Sequence, residues 1–300
     1  MKIVIAGGTG LVGSALTKHF LQQGHTVAIL TRNANKPKHD PNLSYIEWMK
    51  TDSYPEHEVE GADAVINLAG VSLNSGRWTE ERKKAILSSR LETTTEIVRI
   101  LGALNQKPFV YINASAVGYY GTSLTDTFTD YSASSGDDFL AQTVKAWEQA
   151  AMQAENIGIR TVLARFGIVL DRNKGALPTM VLPYKLFAGG TLGSGKQWVS
   201  WIHIQDLVHI LAFAIEHEDI EGPLNVTTPH PIRMKEMGKA ISQAIHRPHW
   251  LPAPSFALKI VLGDMSLMVL EGQKVIPQKL GEHHYNFAYN NIDEALKDLL

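Results

Sequence analysis

The sequence predicts an α/β fold with a doubly wound parallel sheet, and three observations lead to that prediction. Short apolar runs of strand length alternate with amphipathic helical stretches through the first half of the chain. The first run, residues 3–6, is apolar at every position, which is typical of a strand buried on both faces. It breaks into three regularly spaced glycines just before a helical pattern begins. Strands that alternate with helices form parallel sheets, because each helix carries the chain back across the sheet.

The elements follow one another in a regular order. After the first strand we expect a helix from about Gly10 to Gln23, with Gly24 as its left-handed cap. Further strands are predicted at 25–30, 43–48, 64–68, 109–114 and 161–164, and further helices at 80–102 and 138–154.

The regular alternation of strand and helix patterns ends after Leu170. Glycine and proline interrupt the pattern, so we expect a long loop over 171–202 that contributes to the substrate side of the site. Dense Leu, Val and Met in the tail predict a small helical cluster. The expected organisation is therefore a Rossmann-type domain over 1–228 and a smaller, mostly helical C-terminal substrate lobe over 229–300.

Composition limits the classes of partner and compartment. The 28 basic and 30 acidic residues nearly cancel and no dense basic block occurs, which argues against nucleic acid binding. The absence of cysteine excludes disulfides and thiolate chemistry and fits a reducing compartment. A first strand at residue 3 leaves no room for a signal peptide, and no apolar stretch reaches the roughly 18 to 20 residues of a membrane span. We expect a cytoplasmic protein without a membrane partner, either a monomer or a homodimer.

The glycine pattern predicts a cradle for a nucleotide pyrophosphate. Gly7 permits the tight turn, Gly10 allows the backbone to approach phosphate, and Gly13 allows the new helix to pack against the strand. Thr9, Leu11 and Val12 supply the remaining backbone at the start of that helix. Its N-terminus offers free N–H groups and a positive dipole end. The alternative is that the glycines form only an ordinary turn between a strand and a helix, without a bound nucleotide.

The end of the second strand indicates which dinucleotide would bind. An NAD-selective site places an acidic residue about 20 positions after the glycines, but no Asp or Glu occurs before Asp40. Thr31 and Arg32 stand there instead, and a guanidinium can fork onto a 2′-phosphate. We therefore expect NADP(H), unless Arg32 is only a solvated loop residue.

Several motifs together resemble the extended short-chain dehydrogenase/reductase superfamily, to which sugar-nucleotide epimerases belong. They are the glycine motif, Asn67-Leu-Ala-Gly70 and the stretch from Ser115 to Gly121. The subfamily that the whole chain resembles is the atypical epimerase-family proteins with a C-terminal domain of unknown function. Its markers here are Arg77-Trp-Thr79, Ser89-Arg90, Trp147-Glu148, the Gly-rich stretch from Gly189 to Trp198, Trp201-Ile-His203 and the stretch from Leu270 to Pro277.

The resemblance implies a set of cofactor and catalytic residues. Cofactor contacts would include Leu68, Ala69, Gly70, Arg90, Ser115, Lys145 and Phe166. Arg90 would reach the adenine ribose phosphate beside Arg32, or else form a surface salt bridge with Glu92 or Glu96.

The superfamily's tyrosine is missing from its usual place. Lys145 falls at the lysine position of the Tyr-x-x-x-Lys pattern, but the residue four before it is Ala141, which cannot donate a proton. Tyr119 and Tyr120 are the possible substitutes, and their alternative role is that of apolar walls. Ser115 would orient the substrate or serve only as a turn residue, and Lys145 would hold a ribose or face solvent.

A group of aromatic and polar loop residues is expected on the substrate side, namely Arg77, Trp78, Tyr120, Gln197, Trp198 and Trp201. Parallel topology brings such loops to the carboxyl edge of the sheet, where ligands bind. Tryptophan also commonly anchors loops. His203 reads as a buried, hydrogen-bonded histidine, and the adjacent pair His283-His284 lacks accompanying ligands, so no metal is expected.

Two functions remain open on the sequence alone. The first is an NADP(H)-dependent oxidoreductase or epimerase-like enzyme for an unidentified small molecule. The second is an NADP(H)-binding redox sensor without turnover. A purely structural scaffold would bind no cofactor.

Overall fold

A computed structural model describes residues 1–37, 39–74, 76–133 and 136–300. Its strands, in chain order, are β1 (Lys2–Ala6), β2 (Thr26–Thr31), β3 (Leu43–Glu47), β4 (Ala64–Asn67), β5 (Val110–Ala116), β6 (Thr127–Phe128), β7 (Arg160–Phe166), β8 (Ile168–Leu170), β9 (Trp198–Val199), β10 (Trp201–His203), β11 (Gly222–Val226), β12 (Ile232–Arg233) and β13 (Lys274–Val275).

The helices alternate with these strands as far as β11 and then dominate. They are α1 (Leu11–Gln22), α2 (Glu56–Val59), α3 (Glu80–Ala103), α4 (Phe139–Ala151), α5 (Ala176–Lys185), α6 (Ile204–Glu216), α7 (Met234–Ala244), α8 (Ser255–Leu262), α9 (Leu267–Leu270), α10 (Gln278–Glu282) and α11 (Ile292–Leu299). Within the described ranges, no helix combines the length and apolar character that crossing a membrane requires.

Seven strands form one parallel sheet in the order β11-β7-β5-β4-β1-β2-β3. The predicted doubly wound parallel sheet is confirmed. β1 is buried on both faces. Ile3 and Ile5 belong to the apolar cluster on one side of the sheet, and Val4 and Ala6 belong to the cluster on the other side. The chain moves from β1 outward to β2 and β3, then returns to β4 on the other side. This reversal opens a crevice at the carboxyl ends of β1 and β4.

The predicted strands and helices agree with the structure to within three residues at each end. Gly24 ends α1 in the left-handed conformation, at φ 77°, as predicted. Its N–H donates to Leu21 O and that of His25 to Phe20 O, which is the Schellman arrangement. A seventh strand, β11, completes the sheet beside β7.

The expectation of a loop throughout 171–202 is wrong. The segment contains α5, β9 and the start of β10, which pairs in parallel with β8. Pro178 lies in the first turn of α5, where its missing N–H has no helical partner to lose. Pro183 lies inside the helix, but Leu177, Val181 and Tyr184 bury one face of it in a third apolar cluster. Packing therefore outweighs Pro183, and the irregular parts of the segment shrink to 171–175 and about 186–197.

The third cluster joins α5 and β10 to α7 and α11. It includes Trp201, Met237 and Leu296, all without exposed surface. The C-terminal part is mostly helical, as predicted. Because this cluster draws on both sides of residue 228, the boundary between 1–228 and 229–300 stays a prediction.

Candidate functional site

The turn between β1 and α1 is built so that side chains would block it. A Cβ on Gly7, which has φ +75°, would lie 2.7 Å from the carbonyl carbon of Leu68, and a Cβ on Gly13 would lie 2.3 Å from Gly7 O. Gly10 is the N-cap of α1 and leaves the helix without a side-chain cap, and no acidic residue occupies the first turn. Free N–H groups therefore point outward at the crevice, where the helix dipole favours an anion. Thr9 and Gly10 are exposed there, and Leu11 and Val12 are half-buried.

The end of β2 presents a cation to the same edge of the sheet. Thr31 Oγ1 and the backbone of Asn33 exchange hydrogen bonds of 3.2 and 3.3 Å, which fix the turn. Arg32 is exposed, and within the described ranges its side chain forms no hydrogen bond or ion pair. Its guanidinium is therefore available to a phosphate.

Arg90 of α3 lies at the end of β4, beside Gly70. Its Nη1 donates to Val71 O at 3.2 Å and to Ile86 O at 2.9 Å, and its guanidinium lies 5.1 Å from the centre of the Trp147 ring. The predicted alternative, a surface salt bridge with Glu92 or Glu96, is wrong.

Glu96 pairs with Arg99 instead, at 2.8 Å. Burial, and to a lesser extent the charge of Arg82, lower the pKa of Arg90 to about 10. A guanidinium is thus held at the crevice with no carboxylate beside it among the described residues, which is the electrostatic setting that attracts an anion.

The network around Ser115 is the chief feature that the sequence did not reveal. Ser115 Oγ donates to Glu148 Oε1 at 2.5 Å. Both oxygens of Glu148 accept from Arg165, from Nε to Oε1 and from Nη2 to Oε2, each at 2.8 Å. All three side chains are buried, with 3%, 6% and 2% of their surface exposed. Burial alone would lower the pKa of Arg165, but the hydrogen bonds and charge of Glu148 raise it above its ordinary value.

Sheet register and helix periodicity explain why Ser115, Glu148 and Arg165 come together. Ser115 pairs with Arg165 across β5 and β7, so both side chains leave the same face at the carboxyl edge. Glu148 lies on the buried side of α4, one turn after Lys145. The sequence marked Glu148 only as part of the Trp147-Glu148 motif. A carboxylate on the apolar side of a predicted helix was the available signal, since charges are rarely buried unpaired.

The two tyrosines after β5 have different surroundings. Tyr120 is buried, and its hydroxyl accepts from Arg165 Nη1 at 2.9 Å and lies 2.8 Å from Asn225 Oδ1. Tyr119 is half-buried, and its ring centre lies 3.6 Å from Arg165 Cζ. No hydrogen bond to the Tyr119 hydroxyl is found among the residues that the structure describes. Tyr120 therefore forms a wall, whereas Tyr119 keeps a free hydroxyl.

α4 carries no proton donor at residue 141. Ala141 has no exposed surface, and its N–H donates to the N-cap carboxylate of Asp138 at 3.1 Å. Lys145 is exposed one turn later on the same helix. Phe166 is half-buried at the end of β7, next to Gly167, where a Cβ would lie 2.6 Å from Ser200 O.

The six residues expected on the substrate side do not converge on one surface. Arg77 Nη2 donates to Ile260 O at 2.7 Å, and Trp78 Nε1 to Leu73 O at 3.0 Å. Tyr120 belongs to the buried network. Trp78 also lines a groove of about 330 Å³ with Lys83, Phe139 and Leu270.

The remaining three residues hold the chain together. Gln197 is buried, and its amide donates to Leu192 O and, at 2.8 Å, to Val269 O. The Trp198 ring is covered by Arg233, whose Cζ lies 3.5 Å from the ring centre. Trp201 has no exposed surface, so the structure does not support contact with a ligand there.

His203 is buried, as predicted. Its Nδ1 accepts the N–H of Gln205 at 3.2 Å and so caps α6, and its ring stacks on Tyr289 with centres 3.8 Å apart. Among the described residues, His283 and His284 included, no group of three or more ligating side chains could hold a metal ion.

Two family models match the chain. The model described as "NAD dependent epimerase/dehydratase family" matches residues 3–227, and that described as "Domain of unknown function (DUF1731)" matches residues 253–299.

Several known proteins are similar to this chain over its whole length. "Epimerase family protein YfhF" of Bacillus subtilis is 48% identical over 300 residues, which is 100% of this chain and 98% of the relative. The crystal structure of the human epimerase family protein SDR39U1 (isoform2) with NADPH has a TM-score of 0.87 and 34% identity, and the match covers 100% of this chain and 99% of that one. UDP-glucuronic acid 4-epimerase from Bacillus cereus, in complex with NAD, has a TM-score of 0.79 at 14% identity, with coverage of 100% and 98%, which is a likeness of fold.

Proposed function

The chain belongs to the NAD-dependent epimerase/dehydratase family, and from this premise we propose that it is an NADP(H)-dependent oxidoreductase or epimerase-like enzyme for a small molecule. The observation that carries the proposal is the hydrogen bond between Ser115 and the buried Glu148. β5 stands two strands from β1, roughly 10 Å at the usual strand spacing, so this bond lies at the same sheet edge as the open end of α1.

The residues at the crevice fit a phosphorylated dinucleotide. The glycines permit the tight turn, because a Cβ on Gly7 or Gly13 would collide with neighbouring backbone, and the N-terminus of α1 would offer its N–H groups to a pyrophosphate. Arg32 and Arg90 would hold the 2′-phosphate and the adjoining ribose, since neither has a carboxylate partner among the described residues. When bound, NADP(H) accepts or supplies a hydride. The human relative's structure with NADPH supports this choice.

The proton chemistry follows from the direction of the Ser115 hydrogen bond. Ser115 has one proton, and it is directed at Glu148, so the remaining lone pairs on Oγ can accept from a substrate hydroxyl. As that hydroxyl loses its proton to Ser115 Oγ, the Ser115 proton passes to Glu148 Oε1. Arg165 fixes the carboxylate with two hydrogen bonds and holds it in place for this exchange.

In the opposite direction the same route runs backwards: Glu148 returns its proton to Ser115 Oγ, and Ser115 donates its own proton to the substrate oxygen. We propose that Tyr119 donates a hydrogen bond to that substrate oxygen and holds it beside Ser115. Its hydroxyl is free among the described residues, and its ring is held in place against Arg165. A sensor without turnover needs only the glycine turn and the arginines, so the buried Ser115–Glu148–Arg165 network favours an enzyme.

We also propose a cytoplasmic location, because a chain without cysteine fits a reducing compartment. We propose further that the protein is a monomer or a homodimer. Its substrate is an unidentified small molecule, and it has no nucleic acid partner.

Binding and turnover test the proposal separately. In a fluorescence titration, Arg32→Ala should weaken NADPH by roughly 10- to 100-fold, the value of a charge-assisted contact, and leave NADH nearly unchanged. Arg247→Ala, an exposed arginine outside the crevice, is the matched control. Equal loss of both cofactors would contradict NADP(H) selectivity.

Turnover is measured as NADPH oxidation with a panel of carbonyl compounds and sugar nucleotides. Ser115→Ala and Glu148→Gln should abolish any oxidation that the unsubstituted protein shows while NADPH binding persists. Oxidation that survives both substitutions would rule out the proton route.

A further inference from the structure

Two segments of the chain lack acidic residues altogether. Residues 172–205 and 237–263 together hold seven of the 28 Lys and Arg residues and none of the 30 Asp and Glu residues. The rest of the chain therefore carries 21 basic against 30 acidic residues. A chain that is nearly neutral overall thus has its charges separated along the sequence.

The two segments pack against each other. The Tyr184 hydroxyl lies 2.9 Å from His249 Nδ1, and Thr191 Oγ1 lies 3.0 Å from His249 Nε2. The N–H of Ala253 donates to Thr191 O at 2.9 Å. The two segments therefore form one region whose own charged residues are all basic, and Asp264 and Glu271 of the following stretch line a groove together with Lys259.

The same segments expose much of the molecule's large apolar surface. Eight of the 15 exposed large apolar side chains among the described residues lie in them. Five of them lie in or after α5 and after α7. Leu182 lies in α5, Leu186 and Phe187 follow it, and Trp250 and Leu251 come after α7. Trp250 Nε1 donates to Phe187 O at 2.9 Å, so the indole of Trp250 lies against the backbone at Phe187.

α8 supplies the other three and begins directly after this group. Phe256, Ile260 and Val261 are 69%, 71% and 68% exposed, and no residue of α8 is buried. Lys259 lies on the same helix, between Phe256 and Ile260 in the sequence. Ala257, Leu258 and Leu262 are half-buried and Arg77 Nη2 donates to Ile260 O, so one side of α8 faces the protein while Phe256, Ile260 and Val261 face outward.

Phe187 is presented at a conformational cost. It has φ 58° and occupies the left-handed position that ends α5, where glycine is usual. Its N–H donates to Tyr184 O, and that of Ala188 to Pro183 O. Arg247 lies 4.7 Å from the centre of its ring. A bulky aromatic residue is thus held in this conformation with 55% of its surface exposed and with its ring against Arg247.

We propose that these residues form a docking surface for the headgroup region of an anionic lipid bilayer. The surface comprises the eight apolar side chains with Lys185, Arg247 and Lys259. Aromatic and aliphatic side chains enter the boundary between headgroups and acyl chains, and the cations contact anionic headgroups. We expected no membrane partner because the sequence lacks a membrane-spanning segment. Docking on the surface of a bilayer does not require such a segment. This surface shares no residue with the proposed cofactor site.

Co-sedimentation of the full chain with vesicles tests the proposal. Vesicles of phosphatidylcholine alone are compared with equal parts of phosphatidylcholine and phosphatidylglycerol. We expect at least tenfold stronger binding to the anionic vesicles, and partial release at high salt. Lys185→Glu with Lys259→Glu should weaken binding by at least about 20-fold, since each cation near the surface contributes roughly fivefold. Lys84→Glu, an exposed lysine of α3, should have little effect.

Apolar variants separate docking from folding. Phe187→Gly removes the ring and the unfavourable conformation together, so it should weaken vesicle binding while raising the melting temperature. Trp250→Ser with Phe256→Ser should remove binding, and Tyr54→Ser, at an exposed tyrosine elsewhere, should not. Absence of binding to anionic vesicles overturns the proposal. So does a dimer in analytical ultracentrifugation that the Phe187 and Trp250 variants dissociate, because the surface would then join two copies of this chain.

Discussion

Glu148 and Arg165 form a fully buried ion pair directly behind the hydroxyl of Ser115. Removing two charges from water costs several kcal/mol per ion, and apolar side chains of the same volume often give equal or greater stability. The pair is therefore poorly explained as a device for stability. Its geometry fits the proposed role of a fixed acceptor for the Ser115 proton, since both carboxylate oxygens are held by the guanidinium.

This view predicts a large asymmetry between single and double substitutions. Glu148→Leu should lower the free energy of unfolding by about 3–5 kcal/mol, because it leaves Arg165 buried without its counter-charge. Glu148→Leu combined with Arg165→Met should recover most of that loss. Urea unfolding of the three proteins measures the coupling. Additive losses in the double variant would show that the two charges do not depend on each other.

Ser115 could be predicted from the sequence, whereas Glu148 and Arg165 could not. Ser115 follows a strand at the expected edge and belongs to a motif. Arg165 looks like the end of an apolar run, and its role depends on which strand lies beside β7. Register between strands about 50 residues apart in sequence is a tertiary property, and periodicity within one strand carries no information about it.

Helix ends show, at the scale of the element, where the chain accepts unfavourable backbone. α1 ends at Gly24 in the left-handed conformation, and that conformation costs glycine almost nothing. α7 and α10 end in the same way at His246 (φ 52°) and His284 (φ 54°). An L-residue with a side chain loses roughly 1–2 kcal/mol there.

His246→Gly should therefore stabilise the protein. His246 is exposed, so the substitution removes little packing, and we expect a gain of about 1 kcal/mol in the free energy of unfolding. Thermal unfolding measures it. The matched control is Gly24→Ala, which should destabilise by a similar amount, and a loss of stability in both variants would contradict the cap argument.

Most strands of the main sheet were predictable because central strands such as β1, buried on both faces, are apolar, whereas β11, with Gly222, Pro223 and Asn225, was not predicted. α5 was not predicted either, because Gly175, Pro178 and Pro183 interrupt the local pattern. What forms α5 is the burial of Leu177, Val181 and Tyr184 against α7 and β10, contacts that a local pattern does not contain.

At the scale of the whole molecule, several imidazoles are held neutral by burial. Burial lowers the pKa of His203, and the nearby carboxylates of Asp298 and Asp206 only partly oppose it. Burial also lowers the pKa of His19 and His249, helped by neighbouring cations. Each of these groups takes up a proton more readily in the unfolded chain than in the folded one.

The free energy of unfolding should accordingly be highest above pH 6.5 and fall as the pH drops below that value. His203→Asn retains an acceptor for the cap of α6 but has no titrating group, so its stability should depend less steeply on pH between 7 and 5. Urea unfolding at a series of pH values compares the slopes. Equal slopes in the two proteins would show that His203 does not contribute.

The glycine turn could be predicted from the sequence, because Gly7 to Gly13 form one continuous stretch with a recognisable spacing, whereas the surroundings of the expected substrate-side residues could not. Gln197, Trp198 and Trp201 were expected beside a ligand but hold loops and fill the third cluster, because their partners come from elements distant in sequence.

The wall behind Tyr120 is closed by the tail of the chain. Val275 of β13 packs with Tyr120 and Phe128, and Asp130 accepts the N–H groups of Asn225 and Lys279, the latter across 149 residues of sequence. At about 5–20 residues per second, a ribosome needs roughly 7–30 s to add those 149 residues. The glycine turn and α1 emerge at the start of synthesis, whereas the wall behind Tyr120 can close only after Lys279 has been added. The nascent chain therefore contains the glycine turn well before the contacts around Tyr120 can form.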